Sequence, residues 1–218
     1  MAHLRKPLAV ALGLNTAVLS VEIVGGVAGN SLSLMMDGVH NLSDELGLGF
    51  LALAYTLRAG LSGHFLRSAN LFNSIGLLAV SGFLIVQAVE RLAEPLPVVG
   101  LVPIIVGLLG AAGNWGVARV LREASQEDAA IRLAYVHNLG DVLVSLIPVA
   151  AGMLTMVTGY TVFDPLLALL IAGVIIVPTL RTLMDSHQEL WWPQQVVCGS
   201  MELQTARREG TNHVDDQP

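Results

Sequence analysis

V-H-N-L-S-D at residues 39–44 recurs as V-H-N-L-G-D at residues 136–141, each copy inside a long apolar run. Each copy sets a histidine four residues before an aspartate: His40 with Asp44, and His137 with Asp141. On a helix that spacing stacks the two side chains on one face, one turn apart, about 6 Å along the axis. Two imidazoles and two carboxylates from two helices make four donors, the number a tetrahedral divalent cation takes, and both donor types suit zinc and its neighbours.

Working outward, the flanking runs decide the fold class. Of 218 residues, 54% are hydrophobic and only 13% charged, about half the charge expected of a soluble domain. The mean hydropathy is positive. Runs at about residues 8–28, 32–57, 70–92, 98–121, 130–157 and 163–183 are each close to or above the roughly 20 residues that cross a bilayer. The expectation is an all-α membrane protein: a six-transmembrane-helix bundle over residues 1–184, and a short polar tail, 185–218, without packed structure.

Basic residues set the orientation. Arg5, Lys6, Arg58, Arg67, Arg119, Arg122, Arg132, Arg181, Arg207 and Arg208 fall on one side of such a bundle, and only Arg91 falls on the other. The positive-inside rule makes the crowded side, with both termini, cytoplasmic. The formal charge of −6 is concentrated in the tail, and no basic nucleic-acid surface stands out. A single cysteine, Cys198, excludes an internal disulfide and a multi-thiolate metal site.

The two phrases lie three spans apart, and an odd number of crossings reverses direction. Antiparallel phrases that touch bring each histidine level with the opposite aspartate around one ion. A lone histidine in an apolar helix is as well read as a structural residue. Two aspartates at membrane depth are costly without a partner, and a phrase recurring with one change argues for a shared purpose. Two carboxylates carry two negative charges, which a divalent ion cancels. When the ion leaves, protons replace it, so the same side chains support exchange of a metal ion for protons. Closed four-fold coordination leaves no open position for a substrate, which argues against an enzyme.

Other intramembrane polar groups are candidate accessory residues. Asp37 lies one turn before His40 on the same stripe, and Glu22 sits deep in the first run. Each is a functional group or a hydrogen-bonded structural one. Glu45 points about 100° away from Asp44 and faces a neighbouring helix. Met35 and Met36 read as packing residues, and Pro148 as a kink in the fifth span.

The stretch S-L-S-L-M-M-D-G-V-H-N-L-S-D (31–44) resembles the second-helix signature of the cation diffusion facilitator family of metal/proton antiporters. V-E-I-V-G-G (21–26), E-R-L-A-E-P-L-P-V (90–98), H-N-L-G-D (137–141) and D-P-L-L-A-L-L-I-A (164–172) are similar to that family in the same order. The resemblance implies that His40, Asp44, His137 and Asp141 are the transport site. It also implies six helices with cytoplasmic termini in a bacterial inner membrane, and export of zinc or of Cd²⁺, Co²⁺, Fe²⁺ or Mn²⁺ against protons, with no further cofactor. Family members usually continue into a cytoplasmic domain that binds regulatory metal and holds a homodimer. Only about 35 residues follow the sixth run here, without strand–helix alternation, so that domain is not expected. Asp185, His187, Cys198, His213 and Asp215 read as a solvated tail. The competing classes are a membrane haem protein ligated by His40 and His137, which leaves the aspartates without a use, and an intramembrane metallohydrolase, which lacks a well-aimed base.

Overall fold

The computed structural model describes residues 2–57 and 63–191. Seven α-helices and a short 3₁₀ turn account for nearly all of them: α1 (Ala2–Gly29), α2 (Leu32–Leu57), α3 (Gly63–Ala93), α4 (Leu101–Leu121), α5 (Ala129–Val144), α6 (Leu146–Thr158) and α7 (Phe163–Trp191). The compact bundle comprises residues up to Arg181; a second unit starts at Thr182, and its described residues are helical to Trp191. Arg58, Cys198, His213 and Asp215 lie outside the described residues, as do the side chains of His64, Arg67, Asp185 and His187.

This is an integral membrane protein. Among the described residues, five segments are long and apolar enough to cross a bilayer: Leu4–Gly29, Leu71–Ala93, Leu101–Leu121, Ala129–Thr158 and Phe163–Arg181. Their outer faces are apolar, with Phe72, Phe83, Val86, Leu109, Leu143 and Val157 all largely exposed, as lipid requires of helices whose backbone bonds are already closed internally. The α2 helix is as long as the others, at 26 residues, yet falls outside this set because Asp37, Asp44 and Glu45 lower its hydropathy.

The fifth apolar run is two helices, not one. The helix stops at Val144 and restarts at Leu146, with Ser145 at the join. Pro148 explains the break: it has no N–H to offer the carbonyl four residues earlier, and its ring crowds that turn. The kink expected at Pro148 thus falls three residues before it. Small residues let the two halves lie close to α4: a Cβ on Gly152 would stand 2.5 Å from the Gly100 carbonyl oxygen. Close backbone approach of this kind is how helices associate where lipid is as apolar as the side chains.

Helix α2 is pinned at both ends. At its start the buried Asp164 carboxylate accepts bonds from Ser31 Oγ (2.6 Å), Leu32 N (2.7 Å), Ser33 Oγ (2.6 Å) and Ser33 N (3.3 Å). A carboxylate there satisfies orphan N–H groups and complements the helix dipole. Bonds to a charged group are worth about 1.5–3 kcal/mol each, so this cap fixes the register of α2 firmly. At its far end, Arg5 Nε donates to the Tyr55 carbonyl at 3.0 Å and Arg5 Nη2 to that of Thr56 at 3.3 Å, occupying carbonyls the helix leaves free. The turn before α2 is held too. Asn30 adopts a left-handed backbone, φ 53°, and Arg91 donates to its carbonyl (2.6 Å) and its Oδ1 (2.7 Å).

α1 packs along α2 and α4, while α4 packs along both α5 and α6. Two apolar clusters lie toward opposite ends of the bundle, one around Leu32, Met36, Leu84 and Ile171, the other around Leu8, Leu48, Leu121 and Ile131. Met36 is fully buried and Met35 packs against the first cluster, as their reading as packing residues requires. The polar residues lie between the clusters.

Candidate metal centre

α2 and α5 carry the duplicated phrase in opposite directions, and the four side chains meet. His40 Nε2 lies 2.9 Å from Asp141 Oδ1, and His137 Nε2 lies 2.8 Å from Asp44 Oδ1. Each histidine thus reaches the aspartate of the other helix, the crossing an antiparallel repeat predicts. Within each helix the i, i+4 pairs are looser: 3.7 Å for His40 to Asp44 and 3.9 Å for His137 to Asp141. The two imidazole rings meet edge to face, with centroids 5.6 Å apart.

These distances bracket what a small divalent ion needs. With ligands about 2.0–2.1 Å from zinc, the donors of a tetrahedron stand about 3.3 Å apart. Here the four donor atoms all lie within 4.8 Å of one another. The bonds between the histidines and aspartates hold the cage shut, and among the described residues Asp44 Oδ2 and Asp141 Oδ2 have no hydrogen-bond partner. A buried carboxylate oxygen without a donor is unfavourable, and a bound cation removes that cost. Four donors in so small a volume leave no room for a porphyrin between His40 and His137, so the haem reading is not favoured.

The surroundings of the four differ. The Asp141, Asp44 and His40 side chains are 4%, 7% and 12% exposed, but His137 is 48% exposed. The cage is closed on the α2 side and open at His137.

The helices that bring the phrases together are tied at one residue. Asp128 caps α5: its Oδ1 accepts from Ala130 N at 2.9 Å and Ile131 N at 3.1 Å. Its Oδ2 accepts the Tyr55 hydroxyl from the end of α2. That bond, with the two capping amides, holds the Asp128 carboxyl below the usual carboxylate range. One side chain therefore joins the ends of both site helices. Sequence reading misses it, since an Asp before an apolar run signals a cap but not a tyrosine 73 residues away in sequence.

The candidate accessory residues are fully buried. Glu22 is 0% and Asp37 1% exposed. Asn41, inside the first phrase, donates to Glu22 Oε2 at 2.5 Å. Glu45 turns to α1 as expected, accepting from Asn15 Nδ2 (3.0 Å) and Thr16 Oγ1 (2.5 Å). Asn15 Nδ2 also reaches the Asn41 carbonyl at 3.1 Å. Asn73 on α3 donates to Ser43 at 2.9 Å.

Comparison with known proteins gives a consistent picture. The model of the cation efflux transmembrane domain matches residues 8–191. The zinc transporter ZitB of Escherichia coli K12 is 32% identical over 83% of this chain and 60% of its own length. A cadmium, cobalt and zinc/H⁺-K⁺ antiporter of Bacillus subtilis is 27% identical over 97% of this chain and 72% of its own length. The metal cation efflux system protein CzcD of Cupriavidus metallidurans is 27% identical over 97% of this chain and 70% of its own length. The chain spans about 60% of the length of the ZitB proteins it matches.

Proposed function

This chain belongs to the cation efflux family, and on that premise we propose that it moves a divalent metal ion, zinc foremost, across the membrane in exchange for protons. His40, Asp44, His137 and Asp141 bind the ion, and access to them alternates between the two sides. The observation that carries this reading is the crossed pairing of the duplicated phrases, His40 to Asp141 and His137 to Asp44. The relatives named for zinc, cadmium and cobalt support the class of ion.

Chemistry supplies the coupling. A zinc-like ion requires neutral imidazole and ionised carboxylate. Once it leaves, two carboxylates in low dielectric draw protons onto the cage, because an unpaired buried charge is far costlier than a neutral group. Histidine and aspartate held 2.8–2.9 Å apart share such protons readily, and the next ion displaces them. No covalent step is involved, so the protein is a transporter and not an enzyme.

In this reading α2 is a sixth span, whose polar stripe faces the other helices. Both termini face the cytoplasm of a bacterial inner membrane, the side to which the positive-inside rule assigns Arg5, Arg122 and Arg132. Residues 1–184 form the transport domain and residues 185–218 a polar tail. A half-exposed imidazole at mid-span must meet water rather than lipid, so the ion enters past His137.

Protein reconstituted in liposomes is expected to move Zn²⁺ when a proton gradient is imposed, and to do the same with Cd²⁺ or Co²⁺ in competition. Asp44→Ala and Asp141→Ala each abolish the flux. Undiminished uptake in both variants would overturn the assignment of the site.

A further inference from the structure

A second group of polar side chains lies one helical turn beyond the four-residue cage, toward the end of the bundle marked by Asn30 and Gly159. Glu22 comes from α1, Asp37 and Asn41 from α2, Asn114 from α4 and Ser145 from the break between α5 and α6. Glu22, Asn41, Asn114 and Ser145 are 0% exposed and Asp37 is 1% exposed.

Acceptors here outnumber donors. The Asn41 amide donates to Glu22 Oε2 at 2.5 Å and the Asn114 amide donates to Ser145 Oγ at 3.1 Å. That leaves Glu22 Oε1, Asp37 Oδ2, Asn41 Oδ1 and Asn114 Oδ1 buried with no hydrogen-bond partner among the described residues. Buried acceptors are almost always satisfied, and the two free oxygens that belong to the neighbouring Glu22 and Asp37 carboxyls call for a positive species between them. Asp37 sits against both Glu22 and Ser145. Glu22 Oε1 points at the face of Gly110, into the place a side chain there would fill, and Ser145 Oγ stands 3.5 Å from the same place. Gly110, having no side chain, is thus what makes room for the Glu22 carboxyl next to Ser145. Ser145 stands at the join of α5 and α6, and interrupted helices are a recurrent way to build cation sites inside membranes.

We propose that Glu22, Asp37, Asn114 and Ser145 form a second cation site, made only of oxygen donors, that holds the divalent ion on its way between the His40–Asp44–His137–Asp141 cage and the Asn30 end of the bundle. Two carboxylates match the charge of a divalent ion. With no imidazole, the site favours zinc less strongly and accepts Mn²⁺ more nearly equally, which suits a place the ion must leave again. The inference rests on the transport reading only for the ion's route; occupancy of the site is a separate question.

Equilibrium binding of Zn²⁺ and, separately, Mn²⁺ to the purified full chain in detergent tests it, with metal counted per protein. The full chain is expected to bind a second equivalent of Zn²⁺, weaker than the first. In the Asp44→Asn/Asp141→Asn double variant only that weaker equivalent remains, and Mn²⁺ fills it with an affinity closer to that of Zn²⁺ than at the cage. Glu22→Gln and Asp37→Asn, each made in the otherwise natural chain and checked by circular dichroism and size-exclusion elution, remove the weaker equivalent and keep the stronger. A single equivalent in the natural chain, or a second one untouched by Glu22→Gln and Asp37→Asn, overturns the proposal. The count is independent of flux, so a chain that binds two ions and transports none refutes the transport reading and leaves this site standing.

Discussion

The two copies of the repeated phrase are nearly identical in sequence and unequal in surroundings. In the first, His40 is nearly buried, and Asn41 holds Glu22 while its carbonyl accepts Asn15. In the second, His137 is half exposed, and the equivalent Asn138 turns back to donate to the Ala134 carbonyl of its own helix at 2.9 Å. The first copy is enclosed by α1 and wired into a polar core; the second stands at the edge. One phrase can therefore supply both a fixed wall and an open door, and the difference comes from the neighbours alone.

Removing the two histidines one at a time probes this most strongly. His40→Ala leaves Asp141 buried without its partner, and uncompensated buried charges cost about 3–5 kcal/mol. Loss of stability and loss of Zn²⁺ binding are both expected. His137→Ala is expected to lose Zn²⁺ binding by more than the roughly 10–100-fold typical of an outer-shell change, with a smaller loss of stability, because water reaches its partner Asp44 through the place the half-exposed ring leaves. Thermal unfolding in detergent beside zinc titration separates the two outcomes; equal destabilisation by both would erase the asymmetry.

The asparagines give a smaller contrast. Asn41→Ala strips a buried carboxylate of its donor and is expected to cost about 1–3 kcal/mol. Asn138 is buried as well, but its amide only returns to the Ala134 carbonyl of its own helix, so Asn138→Ala is expected to cost less than Asn41→Ala. Denaturant unfolding of the two variants, compared at one detergent concentration, sharpens the comparison if the order holds.

Smallest is the tie at the start of the second phrase's helix. Asp128→Ala is expected to destabilise by about 0.5–2 kcal/mol, the usual range for a lost cap. The sign of its pH dependence follows from the lowered carboxyl. The folded state holds fewer protons at this site than the unfolded chain does, so the contribution is present above the ordinary value of 3.8 and fades as pH falls below it through the lower folded value. The gap between natural and Asp128→Ala stability should therefore narrow below about pH 4, and a gap that widens there would remove Asp128 from this role.

The four-residue cage was legible in the chain because its geometry needs only local rules. A four-residue spacing puts His40 over Asp44, an odd number of crossings reverses the second copy, and low charge over long apolar runs demands a membrane. The turn at Gly29–Ser31, the glycine turn after Thr158 and the aim of Glu45 at a neighbouring helix follow from the same local periodicities. Other features were not legible. Nothing near Asp164 announces that it caps a helix starting at Leu32, and nothing near Glu22 names Asn41 or Gly110. Pro148 signals a break, but its partner Ser145 becomes notable only when α1 and α4 close around it.

By itself the sequence determined that long apolar helices form and that His40, Asp44, His137 and Asp141 come together, since these depend on the rise and pitch of a helix and on the cost of charge in lipid. The tertiary structure alone decided which histidine is enclosed, where α5 stops, and which buried oxygens are left without partners. Those depend on how closely helices approach, a property of contacts between residues as far apart as Ser31 and Asp164 that no local window contains.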